Sequence, residues 1–266
     1  MNSRLSSEMF YQVAALIVAV IVVHLVYITV IRPNADTILE EQAALAAAGE
    51  EFVPDRSLYV VLRDFEQESC FILMLWALAI MGYKANSAIQ ERSLLDQDLV
   101  HVAEGMNLLP EDTREYTRPL QALPATTQQL LLPRVLLTAL QRFASTRNVQ
   151  DVADSVRATC EAESDRLDSE LSMVRYIAWA IPSVGFIGTV RGIGEALGQA
   201  YRAVEGDIAG VTSSLGVAFN STFVALIISI VLMFFMHQLQ LIQERLVLDS
   251  QTYCDQRLLR HLSVRS

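Results

Sequence analysis

The sequence predicts an all-α integral membrane protein with three to four transmembrane helices, four being favoured, and with long helices that extend into the cytoplasm. Hydrophobic residues make up 52% of the 266 residues, and they are concentrated in a few segments. Two of these segments, at 178–200 and 214–235, are apolar enough to lie in a bilayer. Charged regions with helical apolar spacing lie between the segments.

Composition and residue spacing exclude several classes of function. A net charge of −10 without a basic stripe argues against a nucleic-acid partner. The cysteines, Cys70, Cys160 and Cys254, are scattered and odd in number, so neither a disulfide framework nor a cysteine metal motif is expected. The histidines show no ligand spacing, and no nucleophile motif emerges. We therefore expect no metal site, no catalytic residue and no enzyme activity.

The N-terminal part is predicted to cross the bilayer first. A short N-terminal segment at 1–9 precedes a transmembrane helix at 10–31, which has the roughly 22 residues that a spanning helix needs. An Arg-Pro-Asn triplet that begins at Arg32 is expected to end this helix. The polar and acidic stretch 32–68 is expected to be an extracytoplasmic loop.

The next apolar run, 69–84, is charge-free over most of its length but shorter than a usual span. It is either a short, tilted second transmembrane helix whose flanking charges extend to the headgroups, or a buried or interfacial helix. The first alternative is favoured, and it gives four spans.

The remaining chain is predicted to alternate between helical and spanning parts. Helical apolar spacing covers 85–109 and 127–143, with a proline-containing polar link between them. Asn148 is a plausible N-cap for one long helix that enters the bilayer near Tyr176. The predicted parts are a helical cytoplasmic region at 85–173, a third span at 174–201, an extracytoplasmic turn at 202–210, a fourth span at 211–237 and a cytoplasmic helical tail at 238–266.

The distribution of charge predicts the orientation. The loops 32–68 and 202–210 are net acidic, whereas several arginines and Lys84 flank the other membrane ends. Positive-inside bias then places both termini and the region 85–173 in the cytoplasm.

Each of the last two spans carries a stripe of small residues at steps of three and four, which share one helix face. Small residues let helices approach closely in lipid, where apolar burial does not drive association. A threonine lies midway along each stripe, and such a face suits a neighbouring helix, a water file or both. The candidate residues are Pro182, Gly185, Thr189 and Gly192 in the third span, and Ala218, Thr222, Ala225 and Ser229 in the fourth.

Polar residues in these spans leave alternatives open. Thr189 and Thr222 either bond their own i−4 carbonyls or line a polar seam. Arg191 and Glu195, at i and i+4, form a possible intramembrane ion pair, or they mark the outer end of the helix. Pro182 removes an amide proton and marks either a hinge or a static kink.

Two motifs resemble a known family. PSVGFIGTVRGI at 182–193 resembles the signature of the MotA/TolQ/ExbB proton-channel family, and LGVAFNSTFVAL at 215–226 is similar to the final-span motif of that family. The resemblance implies a homo-oligomer, a pentamer, in the bacterial inner membrane around two copies of a single-span partner resembling MotB, TolR or ExbD. The partner would carry the essential aspartate, and the transported ion, H⁺ or Na⁺, would be the only small ligand, with no cofactor.

The resemblance also assigns roles to residues. The channel threonines of the family map to Thr189 and Thr222, and its inner-end proline maps to Pro182. The small-residue stripes would then face the partner helices. The expected function is an ion-conducting, stator-type motor subunit, and the alternative is a non-conducting membrane-anchored scaffold. Which process is driven stays open.

The sequence also departs from the family pattern. Arg191 stands where the TolQ/ExbB-like branch has tryptophan, and Val217 stands where that branch has glutamate. Four predicted spans suggest a MotA-like layout, but the long outer loop does not match it. The subfamily is therefore unresolved.

Overall fold

The computed structural model describes residues 2–47, 57–100, 106–204, 206 and 208–264. Helices dominate these residues, no strand forms among them, and an isolated β-bridge joins Leu108 to Leu262. The prediction of an all-α membrane protein with four spanning helices is confirmed, because four helical stretches are long and apolar enough to cross a membrane by length and composition. These stretches are Glu8–Gln42, Phe65–Arg92, Val149–Gly198 and Ala209–His261.

The chain divides into two units. We call Met1–Gly82 with Met173–Met236 the membrane unit, and Tyr83–Ser172 with His237–Ser266 the polar unit. In chain order the elements are α1 (Asn2–Val26), a π-helical turn (Tyr27–Ile31), α2 (Arg32–Ala47), α3 (Leu58–Val61), α4 (Phe65–Arg92), α5 (Thr113–Gln121), α6 (Ala125–Gln128), α7 (Leu131–Thr146), α8 (Val149–Glu170), α9 (Ser172–Gly198), α10 (Ala200–Val204), α11 (Ala209–Arg257) and a 3-10 turn (Leu259–His261).

The prediction that the first helix ends at Arg32 is wrong, since the chain continues directly into α2. A wide π-helical turn precedes Pro33, and within it the Arg32 amide donates to the Tyr27 carbonyl. Pro33 therefore falls in the first turn of α2, where its missing amide proton is tolerated. The Asn34 side-chain amide donates to the Val30 carbonyl at 2.6 Å. The start of the predicted outer loop is consequently helical.

The short apolar run 69–84 lies inside α4, a helix of 28 residues that extends beyond it at both ends. Within the membrane unit, the Trp76 indole donates to the Gln12 carbonyl of α1 at 2.9 Å. The Cys70 thiol donates to the Ile181 carbonyl of α9 at 3.7 Å. These contacts place α4 against both α1 and α9.

The predicted single helix from Asn148 into the bilayer is interrupted at Leu171, which separates α8 from α9. The Leu171 amide donates to the carbonyls of Asp168 and Ser169, so the last turn of α8 is tightened. The predicted N-cap is confirmed, because the Asn148 side chain accepts from the Gln150 amide at 2.9 Å.

The predicted run of the last span into a helical tail is confirmed by α11, which is 49 residues long. The predicted turn 202–210 is helical at its start, in α10, and positions 205 and 207 lie outside the described residues.

Large apolar side chains form the core of the polar unit. The predicted helix over 85–109 is found only as far as Arg92, where α4 ends, and the chain then turns so that Leu94 and Val100 are buried. Positions 101–105 lie outside the described residues. The predicted proline link is also partly helical, since Pro119 lies inside α5 next to the buried Leu120. Burial of apolar side chains outweighs local propensity at both places. The core includes Leu131, Leu132, Val135, Leu136, Leu140, Phe143, Val152, Val156 and Cys160.

A buried carboxylate joins α7 to α8 in the polar unit. Glu163 accepts from Arg134 of α7 at 2.5 Å and from Arg166 of α8 at 2.5 Å. Burial acts to raise the pKa of Glu163, but the hydrogen bonds from the two guanidinium groups outweigh it and hold the pKa below its usual range.

A second buried carboxylate, Glu91, lies near the end of α4 in the polar unit and accepts from the Leu131 amide at the start of α7. This bond satisfies a helix N-terminal amide that has no partner within the helix. Burial is the dominant cause that raises the pKa of Glu91, and the amide bond lowers it by less.

Candidate functional site

The helices α9 and α11 pack through the small residues that the sequence predicted. A Cβ atom added to Gly185 would come within 2.5 Å of the Ala225 Cβ atom. A Cβ atom added to Gly192 would lie 2.6 Å from the Ser214 carbonyl oxygen and 2.9 Å from the Ala218 Cβ atom. The two backbones are therefore close, as is typical of helix pairs that associate in lipid. We call this surface the α9–α11 seam.

Two threonines meet in this seam. The Thr189 and Thr222 hydroxyls are in direct hydrogen-bond contact. The Thr189 hydroxyl also donates to the Ala218 carbonyl of α11 at 2.9 Å, and the Thr222 hydroxyl donates to the Gly185 carbonyl of α9 at 3.1 Å. Each threonine thus reaches the backbone of the opposite helix. Thr189 keeps only a long contact of 3.4 Å to its own i−4 carbonyl, at Gly185.

The threonine pair has more acceptors than protons. Each hydroxyl carries one proton and can accept two hydrogen bonds. Thr189 can give its proton to Ala218 or to Thr222, and Thr222 can give its proton to Gly185 or to Thr189. The same heavy-atom positions therefore allow alternative arrangements of hydrogen bonds.

Burial separates the predicted site residues into two groups. Thr189, Thr222 and Pro182 are half-buried, so they keep surface for a further neighbour. The others are buried within this one chain, against the opposite helix. Their backbones approach so closely that no room is left for a third helix between them. The buried residues are Gly185, Gly192, Ala218, Ala225 and Ser229.

Pro182 lies inside α9, and its missing amide leaves the Ala178 carbonyl without its usual helical donor. Ser229 of α11 supplies the replacement, because its hydroxyl donates to the Ala178 carbonyl at 3.2 Å. Ser229, from the stripe of the fourth span, thus supplies the hydrogen bond that Pro182, in the stripe of the third span, cannot make.

The predicted pair of Arg191 and Glu195 forms, with Nη1 and Oε1 3.0 Å apart. Arg191 makes closer contact with Glu66 of α4, through Nε to Oε1 at 2.8 Å and Nη2 to Oε2 at 2.9 Å. Asp64 lies 3.8 Å from the same guanidinium group. Arg191 is therefore surrounded by three carboxylates.

Sequence reasoning missed Glu66 and Asp64, which precede the apolar run by only a few residues. Glu66 is 125 positions away from Arg191 along the chain, so no local spacing connects them. The presence of Arg191 in an apolar helix was the available signal, because a charge in or near a membrane needs partners, but Glu195 on the same helix already offered one.

Within the described ranges, no three His, Cys, Asp or Glu side chains come together as a metal site. The seam offers hydroxyl groups and backbone carbonyls instead, which can pass or orient protons and bind small cations.

A family comparison covers this region. Residues 127–252 match the family model of the MotA/TolQ/ExbB proton channel family, which confirms the resemblance of the two motifs. The match leaves the subfamily unresolved. Neither a curated protein nor a solved structure matches the chain.

Proposed function

Because residues 127–252 match the family model of the MotA/TolQ/ExbB proton channel family, we propose that this chain is not an enzyme but conducts ions as a stator-type subunit. In this proposal five copies form a ring in the bacterial inner membrane around two copies of a single-span partner. The conducted ion is H⁺, and its flow is converted into mechanical work. Both termini and the polar unit lie in the cytoplasm.

The observation that carries the proposal is the half-buried pair of Thr189 and Thr222, with its alternative hydrogen bonds. A hydroxyl that can exchange one acceptor for another can also bond a carboxylate or a water molecule that approaches its exposed side. The seam itself contributes no acid at this point. As the family resemblance implies, the titrating carboxylate in this proposal is the aspartate of a partner resembling MotB, TolR or ExbD.

The energy available is sufficient for mechanical work. One elementary charge that crosses 100 mV releases about 2.3 kcal/mol. Ion binding shifts a protein between conformations only if it interacts differently with each of them. A carboxylate that bonds the threonine hydroxyls when ionised, and releases them when protonated, provides this difference.

A non-conducting scaffold is the second candidate, and one observation favours it. Both threonine hydroxyls already have backbone acceptors within the chain, so they need no ion or partner for satisfaction. In this alternative the seam serves helix packing alone, and no proton crosses.

Proton flux with the partner present decides between the two candidates. The chain is co-expressed with a candidate single-span partner that carries an aspartate in its span, and the internal pH of the cells is followed after an acid pulse. Thr189→Ala and Thr222→Ala are each expected to lower the flux about tenfold, the effect of losing one hydrogen bond of about 1.4 kcal/mol at the rate-limiting barrier. Thr189→Ser, which keeps the hydroxyl, should retain flux.

Thr212→Ala is the matched control, because Thr212 lies on α11 as well but is exposed, and its hydroxyl donates to its own i−4 carbonyl, at Ile208. It should conduct like the wild type. Unchanged flux in both Thr189→Ala and Thr222→Ala would remove the pair from the mechanism. Wild-type flux no higher than that of cells without the chain would leave the scaffold.

A further inference from the structure

Arg191 of α9 and Glu66 of α4 form a two-point ion pair within the membrane unit. Two parallel contacts, of 2.8 and 2.9 Å, join the guanidinium fork of α9 to the carboxylate of α4. Such two-point pairing fixes the relative orientation of the two groups as well as their distance. The Glu66 side chain is only 11% exposed, so the contact is shielded from solvent on the α4 side.

The ion pair lies beside the threonine pair. A Cβ atom added to Gly188 would come within 3.0 Å of the Glu66 side chain and within 2.5 Å of the Ser221 side chain. At this level the side chains of Glu66 and Ser221 both lie next to the Gly188 backbone, so α4, α9 and α11 meet here. Thr189 is the next residue along α9.

Helix geometry connects the two contacts. Gly188 and Arg191 are three residues apart and lie on one face of α9, whereas Thr189 is about 200° around the helix from Arg191. A rotation of α9 about its axis cannot move Arg191 away from α4 without also moving Thr189 relative to Thr222.

We propose that Glu66 is a positioning residue, which holds Arg191 so that α9 cannot rotate and Thr189 stays in hydrogen-bond contact with Thr222. The inference rests on the proposed function in one respect, namely that this contact matters for ion flow. That Glu66 holds α9 in place through Arg191 is argued from the contacts alone, and it can be measured without ion flow.

Glu195 provides a matched control. Its carboxylate lies 3.0 Å from the same guanidinium group and carries the same charge. It belongs to α9 itself, four residues after Arg191, so it cannot resist a rotation of α9 against α4. Removal of Glu195 changes the local charge as much as removal of Glu66 but leaves the connection between helices in place.

The first measurement tests whether position 189 of α9 stays next to position 222 of α11. In full-length protein whose three native cysteines are replaced, Thr189→Cys and Thr222→Cys are combined, and a mild oxidant joins the two thiols that take the place of the touching hydroxyls. The thiols that remain are counted by the gel shift of a maleimide polymer. Adding Glu66→Gln should lower the cross-linked fraction at short times about threefold or more, whereas adding Glu195→Gln should leave it unchanged.

The second measurement is the proton flux described above, with wild-type threonines. Glu66→Gln should lower the flux about tenfold, because a small displacement of a functional group is costly, and Glu195→Gln should stay within about twofold of wild type. Arg191→Lys keeps the charge but loses the two-point geometry, so its flux should lie between the two. Immunoblots of membranes correct every value for the amount of protein present.

Equal cross-linking in the Glu66→Gln and Glu195→Gln backgrounds would overturn the proposal, whatever the flux. Equal losses of flux in the two variants would overturn it as well, since charge rather than position would then matter. If Thr222→Ala keeps full flux while Glu66→Gln still lowers cross-linking, the positioning role stands and the proposed ion pathway fails.

Discussion

The α9–α11 seam and the core of the polar unit hold helices together by opposite means. In the seam, Gly185 lies so close to Ala225 that not even a methyl group fits between them. In the polar unit, Leu136 and Phe143 of α7 and Val152 of α8 are fully buried in one hydrophobic core. One contact is made of backbones and hydroxyls, and the other of large apolar side chains.

The difference follows from the solvent of each region. Removing apolar area from water stabilises the polar unit by roughly 25 cal/mol per Å². The same burial gains nothing in lipid, whose tails are as apolar as leucine, so close approach and hydrogen bonds have to hold the spanning helices. Charges differ as well, because the polar unit buries Glu163 between two arginines, whereas the seam uses only neutral hydroxyls at its centre.

The largest expected effect tests the close approach in the seam. Gly185→Ala should destabilise the membrane unit by about 1–3 kcal/mol, because the added Cβ atom meets the Ala225 Cβ atom and the Ser221 carbonyl. Gly194→Ala is the control on the same helix, since a Cβ atom there has no atom within 4 Å. Thermal unfolding of the purified chain in detergent measures both. If Gly185→Ala unfolds like Gly194→Ala, the seam is not held by close packing.

The next effect tests the charged contact of the polar unit. Glu163→Gln should lower the free energy of unfolding by about 1–2 kcal/mol at pH 7, because both arginines lose a charged acceptor. The folded-state pKa of Glu163 is lowered, so its stabilisation is complete above the unfolded pKa of about 4.3 and is lost as the pH falls through the folded pKa. The difference between wild type and variant should therefore shrink below about pH 4.3.

The control for this series is Glu161→Gln, an exposed position on the same helix, which should stay within about 0.5 kcal/mol of wild type. Urea unfolding from pH 3 to pH 7, followed by circular dichroism, gives the comparison. A wild-type advantage that does not change with pH would show that Glu163 acts through its shape alone.

The smallest effect has the opposite dependence on pH. The folded-state pKa of Glu91 is raised, so ionised Glu91 costs stability as the pH rises from the unfolded pKa through the folded one. A glutamine can still accept from the Leu131 amide. The free energy of unfolding of Glu91→Gln should thus rise, relative to that of wild type, by up to about 1 kcal/mol between low and neutral pH. The same urea series measures this difference. If Glu91→Gln became less stable relative to wild type as the pH rises, the raised pKa of Glu91 would be contradicted.

How much of this could be predicted differs between the two regions. The seam could be found because its residues follow local spacing: steps of three and four brought Gly185, Thr189 and Gly192 to one face before any neighbour was known. That spacing did not reveal that the helix packed against this face is α11 of the same chain. The bond from Ser229 to the Ala178 carbonyl likewise depends on a contact 51 residues apart.

The polar unit was predicted less well for a physical reason. Its helices end where distant apolar side chains are buried, as at Leu94 and Leu120, and not where a local signal stands. The wide turn before Pro33 belongs to the same class of error, since a π-helical turn leaves no clear mark in residue type. Contacts such as Glu66 with Arg191 need the tertiary fold before they can be recognised.

The bond between Ser229 and the Ala178 carbonyl has an evolutionary consequence. The Ala178 carbonyl lacks its usual helical donor because residue 182 is a proline, and the Ser229 hydroxyl of another helix donates to it instead. Positions 182 and 229 should therefore vary together: homologues that replace the proline have no need for a donor at 229, and those that lose the donor should tend to regain a backbone amide at 182.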